Sequence, residues 1–95
     1  MARIVWTEPA KRDLAFARAW IAQDSPRAAA GQVQRIVDAV GKLRDFPYVG
    51  RSGRRGAVRE LVVSGGPFIV AYQVCADQIE ILRVLHAARR WPDSL

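Results

Sequence analysis

Ninety-five residues are enough for one domain and too few for two, so residues 1–95 are read as a single unit. A hydrophobic fraction of 51% with clear periodic segments excludes a disordered chain and predicts a globular one with a thin core. Fifteen lysines and arginines against nine carboxylates leave a formal charge of +6, which favours an acidic partner: nucleic acid, an acidic protein segment or an anionic surface.

In chain order, RIVW at Arg3–Trp6 is a short strand that must join a sheet to cover its apolar side chains. Thr7 then opens a helix, with a hydroxyl cap, an acid at Glu8 and Pro9 in the first turn. Ala10, Leu14, Ala17 and Ile21 share a narrow arc and form its core stripe. Phe16 and Trp20 make a second stripe roughly 110° away at 100° per residue. That excess apolar surface either covers the neighbouring helix or forms a docking groove for a partner. Asp24-Ser25-Pro26 ends this helix and starts another, with Ser25 as cap, whose apolar face is Ala29, Val33, Ile36, Val40 and Leu43. The small run Ala28-Ala29-Ala30-Gly31 predicts close approach of the two helices in an antiparallel hairpin. Residues 44–56, punctuated by Pro47, Gly50, Gly53 and Gly56, read as a loop. Phe46, extended because it precedes proline, is expected to plug the core edge, while Arg51, Arg54, Arg55 and Arg59 make a basic segment suited to phosphates or carboxylates.

The remainder reads as a three-stranded meander. Strands are expected at 58–63, 68–74 and 78–85, separated by Ser64-Gly65-Gly66-Pro67 and by Cys75-Ala76-Asp77. The last strand is apolar on both parities, Ile79 and Ile81 against Leu82 and Val84, which predicts a central strand covered on much of both faces. It leads to His86, Arg89, Arg90 and Trp91 at one end of the sheet. Two helices laid on such a sheet give an α+β fold of order β-α-α-β-β-β with a mainly antiparallel sheet.

The chemistry the residue types allow is narrow. There is no phosphate-loop, dinucleotide, HExxH or nucleophile-elbow motif. One cysteine, Cys75, excludes an internal disulfide, and with one histidine it cannot build a structural zinc site, so neither metal nor cofactor is expected and Cys75 is read as structural. The N-terminal residues lack a signal-peptide core and no run has transmembrane length, which makes a cytoplasmic protein without membrane contact the expectation.

Three blocks, VRELVV (58–63), PFIVAY (67–72) and ILRVLHAARR (81–90), together with the helix pair and the segment from Phe46 to Arg51, resemble the RelE/ParE superfamily of bacterial toxins. The resemblance implies the toxin half of a type II toxin–antitoxin module, familiar from plasmid stabilisation, that forms a hetero-oligomer with a cognate antitoxin. RelE-type members are messenger-RNA endoribonucleases acting in the ribosome. Metal-free RNA cleavage needs proton transfer groups as well as phosphate neutralisation, and arginine serves only the second. Lys11 and Lys42 fall on the helices, Ile69 stands where those enzymes carry an arginine, and their tyrosine near the C-terminus has no counterpart. The remaining proton-transfer groups are His86, Tyr48, Tyr72, Glu60 and Glu80, of which His86 fits best as the catalytic residue of a metal-independent ribonuclease. The strand Ile81–His86 followed by Arg89-Arg90 resembles the ParE branch more closely, and ParE-type toxins are described as inhibitors of DNA gyrase. That resemblance implies an enzyme inhibitor with Arg83, His86, Arg89, Arg90 and Trp91 as target-binding residues; the excess apolar stripe and the +6 charge lead to the expectation that the antitoxin's acidic segment binds at Phe16 and Trp20. A basic nucleic-acid-binding module without catalysis is the remaining alternative.

Overall fold

The computed structural model describes residues 2–52 and 56–87. Strand β1 (Arg3–Trp6) runs into α1 (Glu8–Ala22), α2 (Pro26–Gly41), a 3₁₀ turn (Lys42–Arg44), β2 (Arg51–Ser52), β3 (Arg59–Val62), β4 (Phe68–Cys75) and β5 (Gln78–His86). The sheet has the order β1-β5-β4-β3-β2, with β1 parallel to β5 and every other pair antiparallel. The expected α+β order is therefore present, with one added strand, β2, inside the segment read as a loop.

Both helices start as their caps dictate. The Ser25 hydroxyl accepts from the Ala28 N–H at 3.1 Å. Thr7 does more: its Oγ1 accepts from the Ala10 N–H at 3.4 Å and donates to the Ile81 carbonyl at 2.7 Å, so the cap also ties α1 to β5. The core lies between the helices and one sheet face, with Ala10, Ala17, Ile36, Val40 and Leu43 above Val63, Phe68, Val70, Tyr72, Ile79, Ile81 and Val84. Burying these side chains is the main favourable term, about 1.5–3 kcal/mol for each large aliphatic.

Two expectations are corrected and a third is extended. Phe46 does not plug the core; it is 64% exposed, because a pre-proline backbone fixes extension and leaves the side-chain direction open. Within the small run only Ala29 is buried, and a methyl group at Gly31 would meet nothing, so close helix approach rests on one alanine. The two-parity pattern of β5 has a second cause beside its central position. The register passes from Tyr72↔Ile81 to Ala71↔Arg83, leaving Leu82 as the extra residue of a β-bulge, so core-facing parity changes from Ile79 and Ile81 to Val84.

The turns carry their own logic. Gly65, at φ 81°, makes the β3–β4 turn, and its carbonyl accepts from Arg35 at 2.7 Å and Gln32 at 3.3 Å, which fastens the turn to α2. The β4–β5 turn has Ala76 at φ 53°, a conformation that favours glycine or asparagine. No helix among the described residues is long and apolar enough to cross a membrane.

Candidate functional site

The bulge in β5 creates the most distinctive polar cluster. Small residues at Ala10 and Ala17 let α1 lie close to β5, so the Asp13 carboxylate between them reaches the strand backbone. Asp13 accepts from Arg83 Nε at 2.7 Å, from a second Arg83 guanidinium nitrogen at 3.0 Å and from the Val84 N–H at 2.9 Å. The fork of guanidinium on carboxylate is the geometry arginine favours. Its hydrogen bonds from Arg83 to Asp13 push the guanidinium pKa further up, against the smaller opposing effect of burial.

Beside this cluster lies a groove of about 280 Å³ lined by Asp13, Phe16, Ala17 and Trp20 of α1, Phe68 of β4, and Val84 and His86 of β5. Phe16 and Trp20 are 57% and 60% exposed. They line a wall shared with the sheet, to which α2 contributes no lining residue. His86 stands on the same wall, opposite Phe68 in the ladder and edge-on to its ring at 5.7 Å between centroids. Phe16, Trp20 and His86, singled out separately in the sequence, thus share one surface. Asp13, Phe68 and Val84 were missed as groove residues. Asp13 left one signal, a carboxylate at i+3 from Ala10 and i−4 from Ala17 on an otherwise apolar side of the helix.

The other basic candidates do not converge there. Arg51 bonds the buried Glu60 carboxylate through Nε at 3.1 Å, with a second guanidinium nitrogen at 3.0 Å. Arg59 donates to the carbonyls of Tyr48 (3.3 Å) and Gly50 (2.8 Å) and lies over the Tyr48 ring at 5.0 Å. Arg83, Arg51 and Arg59 therefore each have internal structural work. Arg54, Arg55, Arg89, Arg90 and Trp91 lie outside the described residues.

Several proton-transfer candidates have settings unlike those of a catalyst. Tyr72 is fully buried, its hydroxyl accepting from the Gly50 N–H and donating to the Pro47 carbonyl, both at 2.9 Å. Burial pushes its pKa above the ordinary tyrosine value, with the Gly50 hydrogen bond and Arg59 pulling the other way. Glu80 is held below the usual carboxylate range, chiefly by a hydrogen bond from Gln73, which makes it a poor proton donor near neutrality. The exposed Cys75 thiol is pushed up by local desolvation and by the adjacent Glu80 carboxylate, opposite to an activated nucleophile. Lys11 lies on α1, paired with Glu8, and Lys42 in the 3₁₀ turn; neither is on a strand.

Residues 4–91 match the family described as ParE toxin of type II toxin–antitoxin system, parDE. Similar proteins include Y4kP of Sinorhizobium fredii, 45% identical over 98% of this chain and 96% of its own length. Toxin RelE2 of Caulobacter vibrioides is 39% identical over 94% of this chain and 99% of its own. Among solved structures, a chain of the chromosomal ParDE TA system from P. aeruginosa superposes with a TM-score of 0.81 at 29% identity, covering 90% of this chain and 96% of that one. The chain belongs to the ParE toxin family of type II toxin–antitoxin systems.

Proposed function

We propose that this toxin acts by inhibiting a type II topoisomerase, DNA gyrase, without cutting RNA itself, and that a cognate antitoxin silences it by docking on the α1 groove. The observation that carries the target is the ParE family match across residues 4–91. The placement of the lysines supports it, since Lys11 and Lys42 sit on helical elements, and the strand arginines Arg51, Arg59 and Arg83 are each held by internal acceptors. The groove supports the antitoxin half of the reading. Phe16 and Trp20 present more than half of their surface beside Phe68 and Val84, a setting that suits the apolar face of an amphipathic helix.

RelE-named relatives favour a second reading, a ribosome-dependent endoribonuclease with His86 as its acid–base group. Induced expression separates the two. The gyrase reading expects loss of DNA supercoiling with transcripts intact. Codon-positioned cuts in ribosome-bound message that vanish in His86→Ala would overturn it. Supercoiling inhibition lost in an Arg89→Glu/Arg90→Glu variant of unchanged fold would place the target contact on the basic tail.

A further inference from the structure

Among the described residues, the outer edge of β3 is only half used. β2 pairs with it at Arg51↔Glu60 and Ser52↔Arg59, and continuing that register would set Val49 opposite Val62. The chain leaves the edge before it gets there. The Val49 N–H donates to the Phe46 carbonyl at 3.2 Å, and the Gly50 N–H to the Tyr72 hydroxyl at 2.9 Å. On the inner side, the Val63 N–H donates to the Phe68 carbonyl of β4 at 3.0 Å. Antiparallel alternation therefore turns the N–H and C=O of Val62 outward, to the side that Val49 has left.

What lies along that open edge is apolar with a basic rim. A groove of about 460 Å³ is lined by Phe46, Val49, Leu61 and Val62, flanked by Arg35 and Lys42. Phe46, Val49 and Val62 are 64%, 61% and 56% exposed, three large apolar side chains gathered at one sheet edge. Natural edges are usually blunted by charge, bulge or cover, so an open apolar one marks a place where another strand pairs. One carboxylate, Asp38, shares the lining; its Oδ1 already accepts from Gln34 at 2.8 Å, and two cations outnumber it.

We propose that residues 61–64 form a strand-addition site, which takes an extended segment of a partner protein alternating apolar and acidic residues. Main-chain pairing with Val62 supplies the affinity, apolar side chains of the segment meet Phe46, Val49 and Val62, and its acids meet Lys42 and Arg35. Charge decides against a second copy of this chain, because edge-to-edge pairing would bring together two molecules of formal charge +6. The site shares no residue with the α1 groove and does not rest on the antitoxin reading.

The test is a titration of the isotope-labelled chain with an acetylated, amidated octapeptide alternating valine and glutamate, followed by amide NMR and hydrogen exchange. Saturable shifts are expected at residues 61–64, with slowed exchange of the Val62 N–H. The same peptide N-methylated on alternate residues, which cannot pair, is expected to bind at least about tenfold more weakly. Lys42→Glu, at an exposed position, is expected to weaken binding about threefold while leaving the free spectrum otherwise unchanged. Absence of saturable shifts at millimolar peptide, shifts confined to other residues, or equal binding by the N-methylated peptide would overturn the proposal. So would concentration-dependent dimerisation through the same amides without peptide, which would identify a second copy as the occupant.

Discussion

The Tyr72 hydroxyl is where the segment between the 3₁₀ turn and β2 converges on the core. It holds Gly50 through its N–H and Pro47 through its carbonyl, while Gly50 fits only because it lacks a side chain: a Cβ there would lie 2.6 Å from the same oxygen. Tyr72→Phe leaves that N–H and carbonyl without partners and is expected to cost about 1–3 kcal/mol by denaturant titration. The pH response has a fixed sign. Because burial raises the folded-state pKa of Tyr72, its contribution is fully present below the ordinary tyrosine pKa and is lost as pH climbs through the raised folded value. Stability of the native chain should therefore fall above about pH 10, and Tyr72→Phe should show a shallower alkaline decline from its lower starting point. An equal slope in both proteins would contradict the assignment. Asp13 is the second such residue. Asp13→Ala strips Arg83 of its carboxylate and the Val84 N–H of its acceptor in a partly buried site, with an expected loss of about 3 kcal/mol. Asp13→Asn keeps an acceptor and should lose about half as much, which equilibrium unfolding of the pair would reveal.

At the scale of elements, each turn shows how far local chemistry had freedom. Cys75 pairs with Gln78 across a two-residue turn, so Ala76 must adopt a positive φ that a methyl group disfavours. Ala76→Gly is expected to stabilise the fold by about 0.5–1 kcal/mol, readable as a rise in Tm of a few degrees. A decrease would mean that the alanine methyl has a packing role. The elements legible in the sequence are those specified by neighbours: capped helices with stripes at period 3.6, and strands bounded by turn formers. Strand β2 was not legible because two residues carry no periodicity, and the Gly50 backbone that leads into it is held by the hydroxyl of Tyr72, 22 residues along the chain. The bulge at Leu82 was visible only as apolar residues on both parities, a pattern that a central strand produces equally well. In the groove, Phe16 and Trp20 announced themselves by spacing. Asp13 did not disclose its partner, since Arg83 is 70 residues away and nothing local predicts which of thirteen arginines it selects.

For the whole molecule the question is how a strongly basic chain with a wide apolar helix is kept silent. Among the described residues Arg3, Arg35, Arg51, Arg59 and Arg83 donate to internal acceptors, so less cationic surface is available to a partner than the formal +6 implies. The α1 groove, by contrast, keeps Phe16 and Trp20 more than half exposed beside Phe68 and Val84. An antitoxin segment that buried both side chains would gain several kcal/mol at about 25 cal/mol per Å². Exposed arginine–carboxylate pairs at the rim contribute under about 1 kcal/mol each and are screened beyond roughly 8 Å at physiological salt. Apolar contact should therefore dominate affinity, while charge sets the speed of encounter. Replacing Phe16 and Trp20 together by alanine is expected to weaken antitoxin binding by at least about a hundredfold, mainly through faster dissociation. Raising salt from about 0.15 to 0.5 M should slow association and weaken affinity by only about tenfold. Because both residues are mostly exposed, the double variant should keep the native fold, which circular dichroism and thermal unfolding verify. Full affinity in the double variant, with collapse of binding at moderate salt, would reverse the order and assign the antitoxin to the arginine surface instead.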